Sequence, residues 1–271
     1  MSSSQPTEVL RVRGGDTLAV RDWLAVERPL EIRARTGSVT RVISTTMRTP
    51  GEDLALVTGF LFAEGVVREL RELLSLEREG EDAVLVQLGV EAEAALEATK
   101  RSFVTSGACG VCGRASIDDL RVVSSPPGGR ADEPARVPAS VIHALPAELR
   151  RLQATFAQTG GLHAAGLFGV DGRCRAIHED VGRHNAVDKL VGTLFLAGRL
   201  PARDGILVVS GRASYELVQK AAAAGICVMV AVGAPSSLAV ENARAADMTL
   251  LGFVRDGGFN VYTGAERLDG I

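Results

Sequence analysis

Ile206-Leu207-Val208-Val209-Ser210-Gly211-Arg212 and Ile226-Cys227-Val228-Met229-Val230-Ala231-Val232-Gly233 share one pattern, a short unbroken apolar run closed by a glycine-containing turn. Unbroken runs of this length suit strands covered on both faces, since a strand with one wet face alternates instead. Outward from them the chain alternates: helix His184 to Ala197, strand Ile206 to Val209, helix Ser214 to Ala224, strand Ile226 to Val232, helix Ser236 to Ala246, strand Met248 to Val254. Upstream, Leu162 to Val170 and Arg173 to His178 flank Asp171-Gly172, a dipeptide suited to the positive φ angles of a type I′ hairpin turn. A helix from Ala147 to Gln158 precedes them, with Leu149, Leu152 and Phe156 on one face and Gly160-Gly161 as its stop. The expected class is α/β, an α/β/α sandwich opened by a hairpin.

The N-terminal part reads differently. Alternating and β-branched positions between residues 8 and 46 predict a small antiparallel sheet. Thr49-Pro50-Gly51-Glu52 has capping-box spacing with proline at the first helical position, Leu54, Val57, Leu61 and Phe62 give the helix one apolar face, and Gly65 can stop it. Strands follow at Ala83 to Leu88 and Ser102 to Thr105, the second running into a glycine-rich loop. Ser124-Ser125-Pro126-Pro127-Gly128-Gly129 is linker-like. The expected organisation is an N-terminal α+β domain over 1–123 carrying the loop 107–113, a linker over 124–136, and the sandwich over 137–271.

Composition narrows the class. The chain has 271 residues, 46% hydrophobic, with a net charge of -3, enough for one large core or two domains and too balanced to suggest a nucleic-acid partner. No apolar run reaches membrane-span length, and the first residues lack the blocks of a signal peptide, so a cytoplasmic protein without a membrane partner is expected. Four cysteines are too few for a disulfide framework in a chain of this size.

Chemistry concentrates at Gly107-Ala108-Cys109-Gly110-Val111-Cys112-Gly113. Two thiols three residues apart, hinged by glycines, suit sulfur transfer, disulfide exchange or metal ligation. Cys174 and Cys227 lie in apolar strand patterns and read as core fillers. Polar groups gather where strands end: His178-Glu179-Asp180, Arg183-His184-Asn185, Ser210-Gly211-Arg212 and Arg255-Asp256-Gly257-Gly258. Ligands of open α/β sheets collect at strand ends, and glycine-plus-arginine loops there suit a phosphate-bearing ligand. His163 and His184 could contact ligand, tune the thiols or serve as satisfied structural histidines. Asp188 and Lys189 read as supports of the helix, though Lys189 could meet a phosphate, and Glu179-Asp180 could fix Arg183 or bind a guanine edge. His143 reads as part of a surface turn before Pro146.

Five blocks, Phe103 to Gly113, Thr159 to Ala165, Glu179 to Lys189, Ser210 to Ser214 and Gly233 to Ser237, together resemble FdhD, the accessory protein family of formate dehydrogenases. The resemblance implies a homodimeric sulfur carrier whose C-terminal part is cytidine deaminase-like. It implies a persulfide taken from a cysteine desulfurase and delivered to the molybdenum cofactor, as bis(molybdopterin guanine dinucleotide), before insertion into formate dehydrogenase. It places the persulfide on Cys109, with Cys112 as an auxiliary thiol that relays sulfur or leaves a Cys109–Cys112 disulfide. It places the guanine nucleotide end of the cofactor at Phe253, Val254, Arg255, Asp256, Gly257 and Gly258, to which the strand-end reading adds Arg183, His184 and Arg212. No permanent cofactor and no metal are expected. The alternatives are a chaperone that only binds the molybdenum cofactor, a zinc protein pooling CxxC pairs between protomers, and a thiol–disulfide oxidoreductase, which Gly113 and the weak helical pattern after it disfavour. Deaminase chemistry is disfavoured too, because no His-x-Glu occurs and the CxxC precedes the sandwich.

Overall fold

The structure is a computed structural model and describes residues 2–89, 91–100, 136–255 and 257–271. Its N-terminal half opens on an antiparallel hairpin, β1 (Ser4–Arg13) and β2 (Asp16–Ala25), turned by Gly14-Gly15 at positive φ. A second hairpin, β3 (Arg28–Thr36) and β4 (Val39–Arg48), is followed by α1 (Asp53–Ala63), β5 (Leu73–Arg78), β6 (Ala83–Leu88) and α2 (Glu91–Lys100). The antiparallel sheet expected over 8–46 is thus two separate hairpins, and β3 also pairs parallel with β6 in a mixed sheet ordered β4-β3-β6-β5. Leu30, Ile32, Val84 and Val86 bury one face of that sheet against Leu56, Val57 and Leu61 of α1.

α1 starts at Asp53, later than its capping-box sequence predicts. Thr49 cannot cap it, because its hydroxyl accepts the Val181 N–H (3.1 Å) and its own N–H donates to Asp180 (3.1 Å), both in the other half of the chain. Gly51 and Glu52 instead turn the backbone through φ 111° and 58°. The buried Arg48 guanidinium grips Asp53 with two hydrogen bonds (2.9 and 3.1 Å) and fixes the helix start. Gly65, at φ 73°, stops the helix as its position predicts.

The C-terminal half runs β7 (Val137–Pro138), α3 (Ala139–Leu152), α4 (Ala154–Thr159), β8 (His163–Phe168), β9 (Cys174–Asp180), α5 (Arg183–Leu196), β10 (Ile206–Val209), α6 (Tyr215–Ala223), β11 (Val228–Ala231), α7 (Ser237–Ala245), β12 (Thr249–Arg255), β13 (Gly258–Thr263) and β14 (Leu268–Asp269). Six strands form one sheet, β13-β12-β11-β10-β8-β9, in which β10, β11 and β12 are parallel and the β8–β9 hairpin joins antiparallel. Side chains of α5, α6 and α7 cover one face and those of α3 the other, giving three layers.

Three expectations differ from the structure. The predicted helix over Ala147 to Gln158 is two helices broken at Gln153, and the first begins at Ala139 and carries Pro146 inside it. Ile142, Leu145 and Leu149 are buried on α3, and His143 lies on that helix with its ring 4.9 Å from that of Phe259, not in a surface turn. The β8–β9 connection also differs from a type I′ turn. Only Gly172 has positive φ, and its N–H closes a turn onto the Gly169 carbonyl, so the loop is longer than two residues.

The two halves meet where α1 crosses α5. A Cβ on Gly59 would collide with the Asp188 carbonyl, and one on Gly192 with that of Ala55, so both backbones approach as closely as glycine permits. Phe195 of α5 packs into the N-terminal core and stacks at a tilt on Phe62, with centroids 5.2 Å apart. The domain boundary drawn through 124–136 lies, except for Arg136, outside the described residues, as do the strand Ser102 to Thr105 and the whole loop 107–113.

Candidate functional site

The parallel order of β10, β11 and β12 brings their C-terminal turns to one end of the sheet, and the antiparallel β8–β9 pair adds His163 and Asp180 to that end. Backbone bonds stitch the turns together. The Gly233 N–H donates to the Gly211 carbonyl (2.9 Å) and the Phe253 N–H to the Gly233 carbonyl (3.1 Å). Gly233 leaves room for the stem of Arg212, which is exposed. Ser210 does not face this space, because its hydroxyl accepts the Ala164 N–H (2.9 Å) and extends the ladder.

Helices α5 and α6 begin at the same end. Neither start has a side-chain cap, since Gly182 lacks a side chain and Ser214 makes no capping bond, whereas Ser236 caps α7 through the Ala239 N–H (3.2 Å). Uncapped helix starts present free N–H groups and partial positive charge. Arg183 opens α5, and among the described residues its buried Nε has no hydrogen-bond partner. His184 is held by Glu216, Nε2 to Oε2 at 2.5 Å, with the Ser214 hydroxyl 3.5 Å away. Burial, with Arg183 and His184 nearby, holds the half-buried His163 below the ordinary histidine range, against the opposing pull of Asp180.

The candidate segment 253–258 is a hairpin tip rather than an open loop, since β12 extends to Arg255, which faces Gly258 of β13. Phe253 is exposed and holds φ 52°, a conformation L side chains rarely adopt. Arg255 and Gly257 are exposed, Gly257 at φ 83°. The Val254 side chain is fully buried beside α3, so only its backbone can meet a ligand. Asp256, Cys109 and Cys112 lie outside the described residues. Cys174 and Cys227 are half-buried rather than core, and burial pushes both thiols up, away from reactivity.

The acidic half of the Glu179 to Lys189 block has structural partners. Asp180, fully buried, pairs with Lys189 (2.8 Å) and accepts N–H groups from Thr49, Gly182 and Asn185. Lys189 also donates to the Thr49 and Glu179 carbonyls (2.9 and 3.2 Å), so it is saturated and unavailable to a phosphate. The Glu179 carboxylate caps α4 through the Thr155 and Phe156 N–H groups (2.9 and 2.8 Å) and neither fixes Arg183 nor faces a base. Asp188 pairs with Lys220 at 2.6 Å. Beside this network a cleft of about 240 Å³ contains a pair the sequence gave no sign of, Glu52 bonded to the His178 Nδ1 at 2.7 Å. That bond draws the Glu52 carboxyl below its usual range. Among the described residues no cluster of three or more His, Cys, Asp and Glu could hold a metal ion, and no helix is long and apolar enough to cross a membrane.

Comparison with known proteins adds family context. The FdhD/NarQ family model matches residues 25–269. A sulfur carrier protein FdhD of Mycobacterium tuberculosis (strain ATCC 25618 / H37Rv) is 48% identical over 260 residues, 91% of this chain and 92% of that one. One from Nocardia farcinica (strain IFM 10152) is 45% identical over 272 residues, covering 97% and 94%. Among solved structures, a protein described as a formate dehydrogenase accessory protein, from Desulfotalea psychrophila, aligns with TM-score 0.75 and 25% identity over 98% of this chain and 100% of that one.

Proposed function

The chain belongs to the FdhD/NarQ family, and from that premise we propose that it is a sulfur carrier accessory to formate dehydrogenase, a cytoplasmic sulfurtransferase working as a homodimer. In this reading the Cys109 thiolate attacks the terminal sulfur of a cysteine desulfurase persulfide. A new S–S bond forms at Cys109, the donor's S–S bond breaks, and the donor cysteine leaves as a thiolate. Cys112 relays by the same displacement, attacking the outer sulfur while Cys109 departs as thiolate. The cargo is handed to the molybdenum cofactor, bis(molybdopterin guanine dinucleotide), before it enters formate dehydrogenase. A cytidine deaminase-like sandwich carries the cofactor end of the task and the segment 107–113 the sulfur end.

The observation that best supports a cofactor site is the shared sheet end. Two helix starts without a side-chain cap and Arg183 with a buried Nε unbonded among the described residues, together with the exposed Arg212 and the Phe253–Arg255 segment, suit a polyanion with a stacking base. The guanine nucleotide end of the cofactor has that chemistry. The test is direct. After incubation with a cysteine desulfurase and cysteine, mass spectrometry is expected to find one added sulfur atom on the peptide holding Cys109, lost on alkylation before loading. Cofactor binding without added sulfur would replace the carrier by a chaperone that only binds the molybdenum cofactor, and stoichiometric zinc in protein purified without added metal would favour a zinc-binding CxxC protein.

A further inference from the structure

Four histidines occur in the chain, and His163 is set apart from the others by where its charge would have to be accommodated. It opens β8 directly opposite Asp180 of β9, half-buried, with Gly211 of the turn after β10 close against its ring. The charges around it are unevenly spent. Asp180 is paired with Lys189, and the Glu216 carboxylate is bonded to His184. Arg183 has no such compensation among the described residues, its buried Nε being without a hydrogen-bond partner. His163 itself has no ion-pair partner among them. Burial, and after it the charges of Arg183 and His184, oppose a positive charge on this imidazole, against the pull of Asp180.

We propose that docking of a phosphate-bearing ligand against Arg183 is coupled to uptake of one proton, and that His163 is the group that takes it. The inference rests on the anionic-ligand site of the preceding section. An anion set beside Arg183 offsets the part of that opposition that comes from Arg183 and adds an acceptor for the imidazolium N–H. His184 is already engaged by the Glu216 carboxylate, Nε2 to Oε2 at 2.5 Å. The sign follows from linkage: a complex that binds one proton more than its free components tightens as pH falls. His163 thus joins Arg183 as a contact made only in the loaded site.

Calorimetric titration of the full-length protein with guanosine diphosphate, in buffers of different ionisation enthalpy, reads the coupling. Uptake approaching one proton per ligand is expected, with affinity falling by up to about tenfold per pH unit where the uptake is complete. In His163→Asn only the ligand's own ionisation should remain. Should that variant not fold, the ring-proton resonance of His163 in the parent protein gives the same answer, shifting to the protonated position when ligand is added. Binding with buffer-independent heat and an unmoved resonance would overturn the coupling while leaving the ligand site intact. Uptake persisting in a folded His163→Asn would assign it to another group and overturn the role of His163. Absence of any binding would overturn the site itself and the coupling with it.

Discussion

Asp180 and Arg183 are three residues apart, yet they serve regions of opposite character. Asp180 is sealed against Lys189, Thr49 and Asn185, and every one of those contacts joins parts of the fold. Arg183 sits at a rim with its Nε buried and unbonded among the described residues, and His163 and Arg212 lie along the same sheet end. Both regions are polar, and hydrogen-bond saturation tells them apart. A buried polar group whose partners are all supplied by the protein holds the fold together, whereas one left without protein partners is open to water or to a ligand.

That contrast can be broken by substitution. The largest effect is expected for Asp180→Ala, which strips Lys189 of its counter-charge and leaves three N–H donors unpaired; urea unfolding should show a loss of about 3–5 kcal/mol. Retained stability would mean that the network is not the clasp between the halves. Gly192→Ala should follow at about 1–3 kcal/mol, since its methyl group must push α5 away from the Ala55 carbonyl. A thermal midpoint unchanged by this substitution would show that the crossing is looser than the glycines imply. Arg183→Ala should alter stability by no more than about 0.5 kcal/mol and weaken guanosine diphosphate binding, with Arg255→Ala doing so to a smaller degree. An Arg183 variant that unfolds readily but binds normally would reverse the distinction between clasp and rim.

The alternating units from Arg183 to Arg255 were legible because β10 and β11 are unbroken apolar runs and each helix is preceded by glycine or serine. Ile206–Val209 is placed to the residue, and the helices move by one at either end. Local rules failed where distant partners overrode them. Thr49 looked like a cap, but its hydroxyl is engaged by Val181, 132 residues on. Pro146 suggested a boundary, yet α3 passes through it with Ile142, Leu145 and Leu149 buried against the sheet. The strand-end cluster was visible as glycine-plus-arginine turns, although which members face the rim was not. Glu179 and Asp180 have the residue types of a ligand site and became structural only through neighbours that no local pattern announces. Glu52 with His178, and Glu216 with His184, pair across 126 and 32 positions and left no local trace.

The glycine crossing of α1 on α5 also has a consequence for synthesis. A nascent chain that has completed the four-stranded sheet and α1 still lacks the surface on which Gly59 closes and the carboxylate that receives the Thr49 N–H, 131 residues later. Until α5 emerges, the α5-facing side of α1 has no packing partner. Closure over so long a separation is slow, so the early half has a stretch of translation in which it is open to chaperones and to misassociation.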